Sequence, residues 1–313
     1  MATPVFIDCD PGHDDMMAIM LAASHPDLEV IGITTVAGNQ TGAKTYNNAG
    51  RTLTLINRLD IPVVRGADAP LCRPLVTAPA IHGSSGLDGA DLPDSRIPVI
   101  EESAPAFMAR RIFERKERVV LVPTGPLTNV ALALRTYPAL GDKIERIVLM
   151  GGAVYDSNIT PAAEFNIYVD PEAASTVFES GIPITMVGLD ATNKAKMLYP
   201  EIEKLEKHSG PIHRIVGPLM RFFADTNREV FGFDGAPIHD ALAVATVIEP
   251  GIITGDEYRV DIETSSELTR GQTVADLYRV TGKGANARVA MGVDRERLMQ
   301  MLFEAIKRLE ERL

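Results

Sequence analysis

Cysteine is scarce, with only Cys9 and Cys72 in 313 residues. Two thiols cannot build a disulfide framework, and neither has a C-x-x-C partner of the kind that holds zinc. Basic clusters are missing too. Lys and Arg total 31 against 42 Asp and Glu, a formal net charge of -11, and Arg110-Arg111 and Arg115-Lys116 are diluted by Glu114 and Glu117. A nucleic-acid groove normally carries a basic stripe, so no nucleic-acid partner is expected. No stretch reaches the roughly 18 apolar residues of a membrane span. Met1-Ala2-Thr3-Pro4 runs straight into an apolar strand with no basic region or cleavage site, which predicts a cytoplasmic protein without a membrane partner. No linker, low-complexity tract or internal repeat divides the chain, so residues 1–313 are expected to form a single domain.

What is present is an alternation. Val5-Phe6-Ile7 is a short apolar run stopped by Asp8, a turn follows at Pro11-Gly12, and an apolar helix is predicted from Asp14 to Ser24. A second strand is predicted over 28–36, then a helix from an N-cap at Thr41 to Arg58, then a strand over 61–64. After a long Gly/Pro/Asp-rich connection over 66–100, strands are predicted at 118–123, 146–150 and 182–188. Between them come a helix opened by Pro126 and another over 171–179. Short polar-alternating strands from about 255 precede a terminal helix over 294–313. Such alternation predicts an α/β fold, an open, mostly parallel central sheet flanked by helices. Ligands of such sheets bind beyond the carboxyl ends of the strands.

The strongest local pattern sits at such an end: Asp8-Cys9-Asp10-Pro11-Gly12-His13-Asp14-Asp15. Asp8 and Asp10, two apart, can project to the same side, and the turn folds Asp14 and Asp15 towards them. A helix N-terminus stabilises a nearby carboxylate by about 0.3–1 kcal/mol. Two unit charges at ~4 Å, at an effective dielectric near 20, repel by roughly 4 kcal/mol. Either protons or a cation must therefore be held among these side chains, and all-oxygen ligands select Ca²⁺ or Mg²⁺ over Zn²⁺. The plainer alternative is a set of N-caps and surface charges around one turn. His13 is expected to be incidental and exposed on that turn.

Two further segments are polar in a suggestive way. In Glu164-Phe165-Asn166, an extended backbone would put Glu164 and Asn166 on one face, offering donors and acceptors to a sugar, although a surface loop would read the same. His239-Asp240 stands before an apolar helix, where Asp240 can be a mere helix-start residue.

Together these residues resemble the nucleoside hydrolases of the inosine-uridine-preferring, ribosylpyrimidine type. The resemblance begins at Asp8-x-Asp10-Pro11-Gly12-x-Asp14-Asp15 and runs through 34–41, 122–129, 148–152, 163–167, 170–174 and 188–190 to His239-Asp240, nearly the whole chain in order. It implies hydrolysis of the N-glycosidic bond of ribonucleosides to ribose and free base. It also implies Ca²⁺ held by Asp10, Asp15, Asp240 and the carbonyl of Thr124. Asp10 would take the proton of the attacking water, and Asp8 would orient the metal-binding carboxylates. Asp14, Asn39, Asn158, Glu164 and Asn166 fall on ribose-contacting positions, Met150 lines the sugar pocket, and His239 matches a proton donor to the leaving base. His82 is expected near the base, with Asn227 and Phe231 facing it. A homo-oligomer, dimer or tetramer, is implied as well.

The chain also departs from the resemblance. Ser84 replaces a frequent Glu, while Asn227 and Phe231 stand where pyrimidine-preferring members often carry Gln and Tyr. The absence of tryptophan rules out the indole stacking of purine-specific relatives, so pyrimidine nucleosides are the expected substrates. Two rivals fit the same motif. One is a haloacid-dehalogenase-like Mg²⁺ phosphatase, disfavoured by Pro11-Gly12 after the second Asp. The other is a calcium-dependent nucleoside or sugar-binding protein without turnover.

Overall fold

The computed structural model describes residues 2–313. Its strands are β1 Thr3–Cys9, β2 Leu28–Thr35, β3 Val63–Arg65, β4 Val119–Pro123, β5 Ile144–Met150, β6 Ile184–Val187, β7 Lys196–Leu198, β8 Gly235–Pro237, β9 Ile253–Tyr258, β10 Val260–Ile262, β11 Thr273–Ala275 and β12 Ala287–Val293. The α-helices are α1 His13–Ser24, α2 Gly42–Leu55, α3 Pro79–His82, α4 Ala104–Phe113, α5 Thr128–Thr136, α6 Phe165–Val169, α7 Pro171–Phe178, α8 Leu189–Thr192, α9 Tyr199–Lys207, α10 His213–Phe231, α11 His239–Ile248 and α12 Arg295–Glu310.

Eight strands form one sheet in the order β3-β2-β1-β4-β5-β6-β12-β9, parallel except for the β12–β9 pair. The expected α/β architecture is present. Burial on both faces explains the near-continuous apolar strands. Val5, Ile7 and Cys9 enter one core layer and Phe6 the other, following the period of two. Chain order runs outward from β1 through β2 to β3, then resumes at β4 on β1's other side, so β1 and β4 flank the switch point. Asp8 pairs in register with Pro123 there, which brings the acidic motif against the β4 end at Thr124.

Local details differ from expectation where caps and turns decide. Pro126 does not open its helix; α5 starts at Thr128, after a turn that carries Thr124–Leu127 past the strand end. Glu164 and Asn166 do not lie on an extended segment. Both oxygens of Glu164 accept backbone N–H groups, and the residue caps α6. The long 66–100 connection contains α3, and its Pro79 sits in the helix's first turn. Helix α1 is buried along its whole length, packed against α11 and α12. No helix among the described residues is long and apolar enough to cross a membrane.

Candidate active site

The floor of the site is a buried acidic cluster at the β1 and β4 ends. Asp8 accepts from Thr34 Oγ1 at 2.6 Å and Asn129 Nδ2 at 2.8 Å, both at Oδ1. Asp10 Oδ2 accepts the backbone N–H of Asn39 at 2.6 Å. Asp15 is held on both oxygens, with Thr124 Oγ1 donating to Oδ1 at 2.8 Å and the Gly12 N–H to Oδ2 at 3.0 Å. Asn39 Nδ2 ties the pair together, 3.2 Å from both the Asp10 carbonyl and Asp15 Oδ2. The backbone crowds Asp10 closely. A Cβ at Gly38 would overlap its Oδ2, and one at Gly125 would come within 2.6 Å of its Oδ1.

Burial alone makes this arrangement costly. It pushes Asp10 and Asp240 well above the ordinary carboxylate range, with repulsion from Asp15 adding to Asp10 and repulsion from Asp14 adding to Asp240. Burial, then repulsion from Asp15, brings Asp14 up to about 7, and burial brings Asp8 to about 7 as well. Among the described residues, ion pairs such as Arg73–Glu172 and Arg295–Glu201 lie elsewhere.

These features fit a metal ion. Asp14, Asp15 and Asp240 each offer a carboxylate oxygen, and the three atoms lie within 4.8 Å of one another. Asp10 Oδ1 and Asp8 Oδ2 are buried without any hydrogen-bond partner, which an unneutralised carboxylate tolerates poorly. The donor set is oxygen throughout, the preference of a hard divalent cation. The cluster is a candidate metal site. Asp14, expected to face a ribose, also stands within this trio.

Above the floor lies a cavity. It is lined by Asp14, Asn39, His82, Thr124, Met150, Asn158, Glu164, Asn166, Asn227, Phe231, His239 and Asp240. Asp8, Asp10 and Asp15 do not line it; they are fully buried, with Asp10 and Asp15 bonded to the lining residues Asn39 and Thr124. Glu164 Oε2 accepts from Gly152 N at 2.9 Å, and burial raises the acid to about 7. Asn166 Nδ2 donates to the Thr124 carbonyl at 2.9 Å and lies 3.4 Å from Met150 Sδ. Asn158 Oδ1 accepts the Phe165 N–H at 2.8 Å.

The opposite wall differs from expectation at one point. His13 is not an exposed turn residue; it is fully buried. Its ring stacks on Phe223 with centroids 5.0 Å apart and on His82 at 5.5 Å. Its Nε2–H donates to the Asp88 carbonyl at 2.8 Å, and its Nδ1 lies 3.3 Å from that of His82. Asp88 is itself clasped by the N–H and hydroxyl groups of Ser84 and Ser85, which gives Ser84 its place in the structure. Burial lowers His13 to about 4 and His82 well below its usual range, so both rings are neutral near pH 7. His239 is brought down to about 4 by the same cause, and its Nδ1 lies 2.7 Å from Thr192 Oγ1. Ala78, Ile81, Ile159, Phe165 and Phe223 also line the cavity and were not singled out by sequence. Only Phe223 has a signal of its own, the apolar face of a long amphipathic helix.

With this geometry in view, comparison with known proteins is decisive. The sequence pattern of the inosine-uridine preferring nucleoside hydrolases matches residues 5–300. The chain belongs to that family. Among similar nucleoside hydrolases is the pyrimidine-specific ribonucleoside hydrolase RihA of Shewanella oneidensis, 50% identical over 307 residues, covering 98% of this chain and 96% of that protein. RihA of Salmonella typhimurium is 49% identical over 308 residues, with 98% and 99% coverage. In structure, the purine-preferring ribonucleoside hydrolase from Gardnerella vaginalis superimposes with a TM-score of 0.93 at 30% identity, covering 99% of this chain and all of that one (100%). An inosine-guanosine nucleoside hydrolase gives 0.90 at 30% identity, with 98% and 99% coverage. Membership in this nucleoside hydrolase family displaces the phosphatase reading of the Asp-x-Asp motif.

Proposed function

We propose that the protein hydrolyses the N-glycosidic bond of pyrimidine ribonucleosides, releasing ribose and free base, with Ca²⁺ as its metal. The observation that carries this reading is a buried acidic floor opening into a cavity whose sides offer amides and carboxylates to a sugar and rings to a base. Similarity to the RihA proteins, which are named pyrimidine-specific, supports the choice of base.

Asp15 and Asp240, which stand with Asp14 in one group of close carboxylates, would hold the ion together with Asp10 and the Thr124 carbonyl. When bound, calcium supplies the positive charge that makes the carboxylate cluster tolerable and lowers the pKa of a nearby water. Asp10 keeps Oδ1 unpartnered, and that oxygen accepts the proton of the attacking water. Asn39, Asn158, Glu164 and Asn166 bind the ribose hydroxyls. As the bond to the base lengthens, positive charge grows on the sugar, and the acidic floor stabilises it. Asp8, bonded to Thr34 and Asn129, fixes the β1 end on which Asp10 stands. His82, Asn227 and Phe231 contact the base, and His239 attends its departure. The homo-oligomer implied by resemblance is tested by light scattering of the purified chain.

The test is a panel of ribonucleosides assayed for free ribose with and without a calcium chelator. Uridine and cytidine should be cleaved faster than inosine, and chelation should abolish turnover until calcium is restored. Saturable uridine binding without any ribose released would favour a sensor instead.

A further inference from the structure

Thr192 ends α8 and is fully buried. Its hydroxyl lies 2.7 Å from Nδ1 of His239, the residue that starts α11, and has no other hydrogen-bond partner among the described residues. Nε2 of His239 bonds to no described residue, yet it is not among the sealed, unpaired polar atoms, so it opens onto the cavity that the ring lines.

A neutral imidazole carries one N–H, and two arrangements are possible. With the proton on Nδ1, that nitrogen donates to Thr192 and the hydroxyl hydrogen is left unbonded in the interior, which is unfavourable. With Nδ1 bare, the hydroxyl donates to it and no hydrogen is left unbonded in the interior. The proton then sits on Nε2, on the cavity side.

We propose that Thr192 is a positioning residue for nucleoside cleavage: its hydroxyl donates to His239 Nδ1 and holds the ring in the tautomer whose Nε2–H faces the departing base. This rests on the nucleoside hydrolase reading above. The group recognised is a hydrogen-bond acceptor beside the glycosidic nitrogen, which in a pyrimidine is the O2 carbonyl. When the bond between C1′ and N1 breaks, its electron pair goes to the base and spreads onto O2. The Nε2–H bonds to that oxygen as its charge grows, the base leaves as a hydrogen-bonded anion, and it takes its proton from solvent. His239 keeps its own proton throughout.

The test compares wild type, T192V, which keeps the shape without the hydroxyl, and T192S, which keeps the hydroxyl. Each is assayed on uridine and on p-nitrophenyl riboside, whose leaving group needs no assistance. T192V should lower kcat on uridine about tenfold to a hundredfold with little change in KM, since one oriented donor to a developing charge is lost. Its turnover of p-nitrophenyl riboside should stay within about twofold, which also reports correct folding, and T192S should recover most of the uridine rate. In ¹⁵N NMR of calcium-loaded wild type, His239 should show a protonated Nε2 and a bare Nδ1. Equal losses on both substrates, an unchanged uridine rate in T192V, or a protonated Nδ1 in wild type would overturn the assignment. A wild type inert on both substrates would instead overturn the hydrolase reading itself.

Discussion

Asp8, Asp10 and Asp15 stand at the end of β1 and the start of α1, pinned by threonine hydroxyls, asparagine amides and backbone N–H groups. Phe223, Asn227 and Phe231 face the same cavity from helix α10, and what holds them is largely packing. Asn227 Nδ2 donates to the Phe223 carbonyl of its own helix, and Phe231 is 39% exposed at the helix end. The contrast separates two jobs. The floor is over-determined by polar contacts because it must hold like charges at fixed distances. The wall is held more loosely, and its side chains can change without disturbing the floor.

The largest effect should come from the sugar. Asparagines and carboxylates matched to a hydroxyl lose their partner when it is missing, so 2′-deoxyuridine should show kcat/KM lower by about 10⁴-fold than uridine. Comparable turnover of the two would remove the ribose-matching role of the floor's rim. Asp10→Ala should come next, lowering kcat on uridine by about a thousandfold while leaving the fold intact, because it removes a repelled charge. A loss of less than tenfold would shift the proton-accepting role to another carboxylate.

Smaller, and carried by the buried titratable groups, is the response to calcium and pH. Burial raises Asp8, Asp14 and Glu164 to about 7. A carboxyl raised in the folded state contributes stability that is full below its unfolded value near ~4 and lost as pH rises through ~7. His13 and His239, lowered to about 4, act in the opposite direction as pH falls below ~6.5. The raised carboxyls, with Asp10 and Asp240 among them, outnumber the histidines. The chelated protein should therefore melt several degrees lower at about pH 8 than at about pH 5. Calcium at a hundredfold its Kd should add about 2.7 kcal/mol and flatten that slope. Melting curves of equal slope with and without calcium would mean the carboxylates do not hold the ion. The smallest effect belongs to the wall. Phe231→Ala should raise KM for uridine about threefold to tenfold and leave kcat nearly unchanged, as loss of a partly exposed stacking surface does.

The sequence exposed the floor more readily than the wall for a physical reason. Asp8 through Asp15 put unlike demands on one short segment, and crowded charge is visible without any knowledge of what packs nearby. The strand–helix alternation was legible on the same terms, because burial on both faces leaves apolar runs such as 119–122. His13 was not. Nothing beside it in the chain announces Phe223, His82 or Asp88, which reach it from far along the sequence. Glu164 misled differently, since its segment reads equally as strand or surface loop, and the backbone N–H groups of Asn166 and Ile167 make it a helix cap instead. Thr192 carries no local signature at all; only the arrival of His239 gives its hydroxyl a purpose.

The glycines around Asp10 carry one more implication. At positions 38 and 125 even a methyl group would strike the carboxylate. Mutational drift or laboratory selection at these two positions therefore finds no neutral first step. Tolerance to substitution is instead expected among the side chains of α10, where a changed volume meets solvent and soft neighbours rather than a pinned carboxylate.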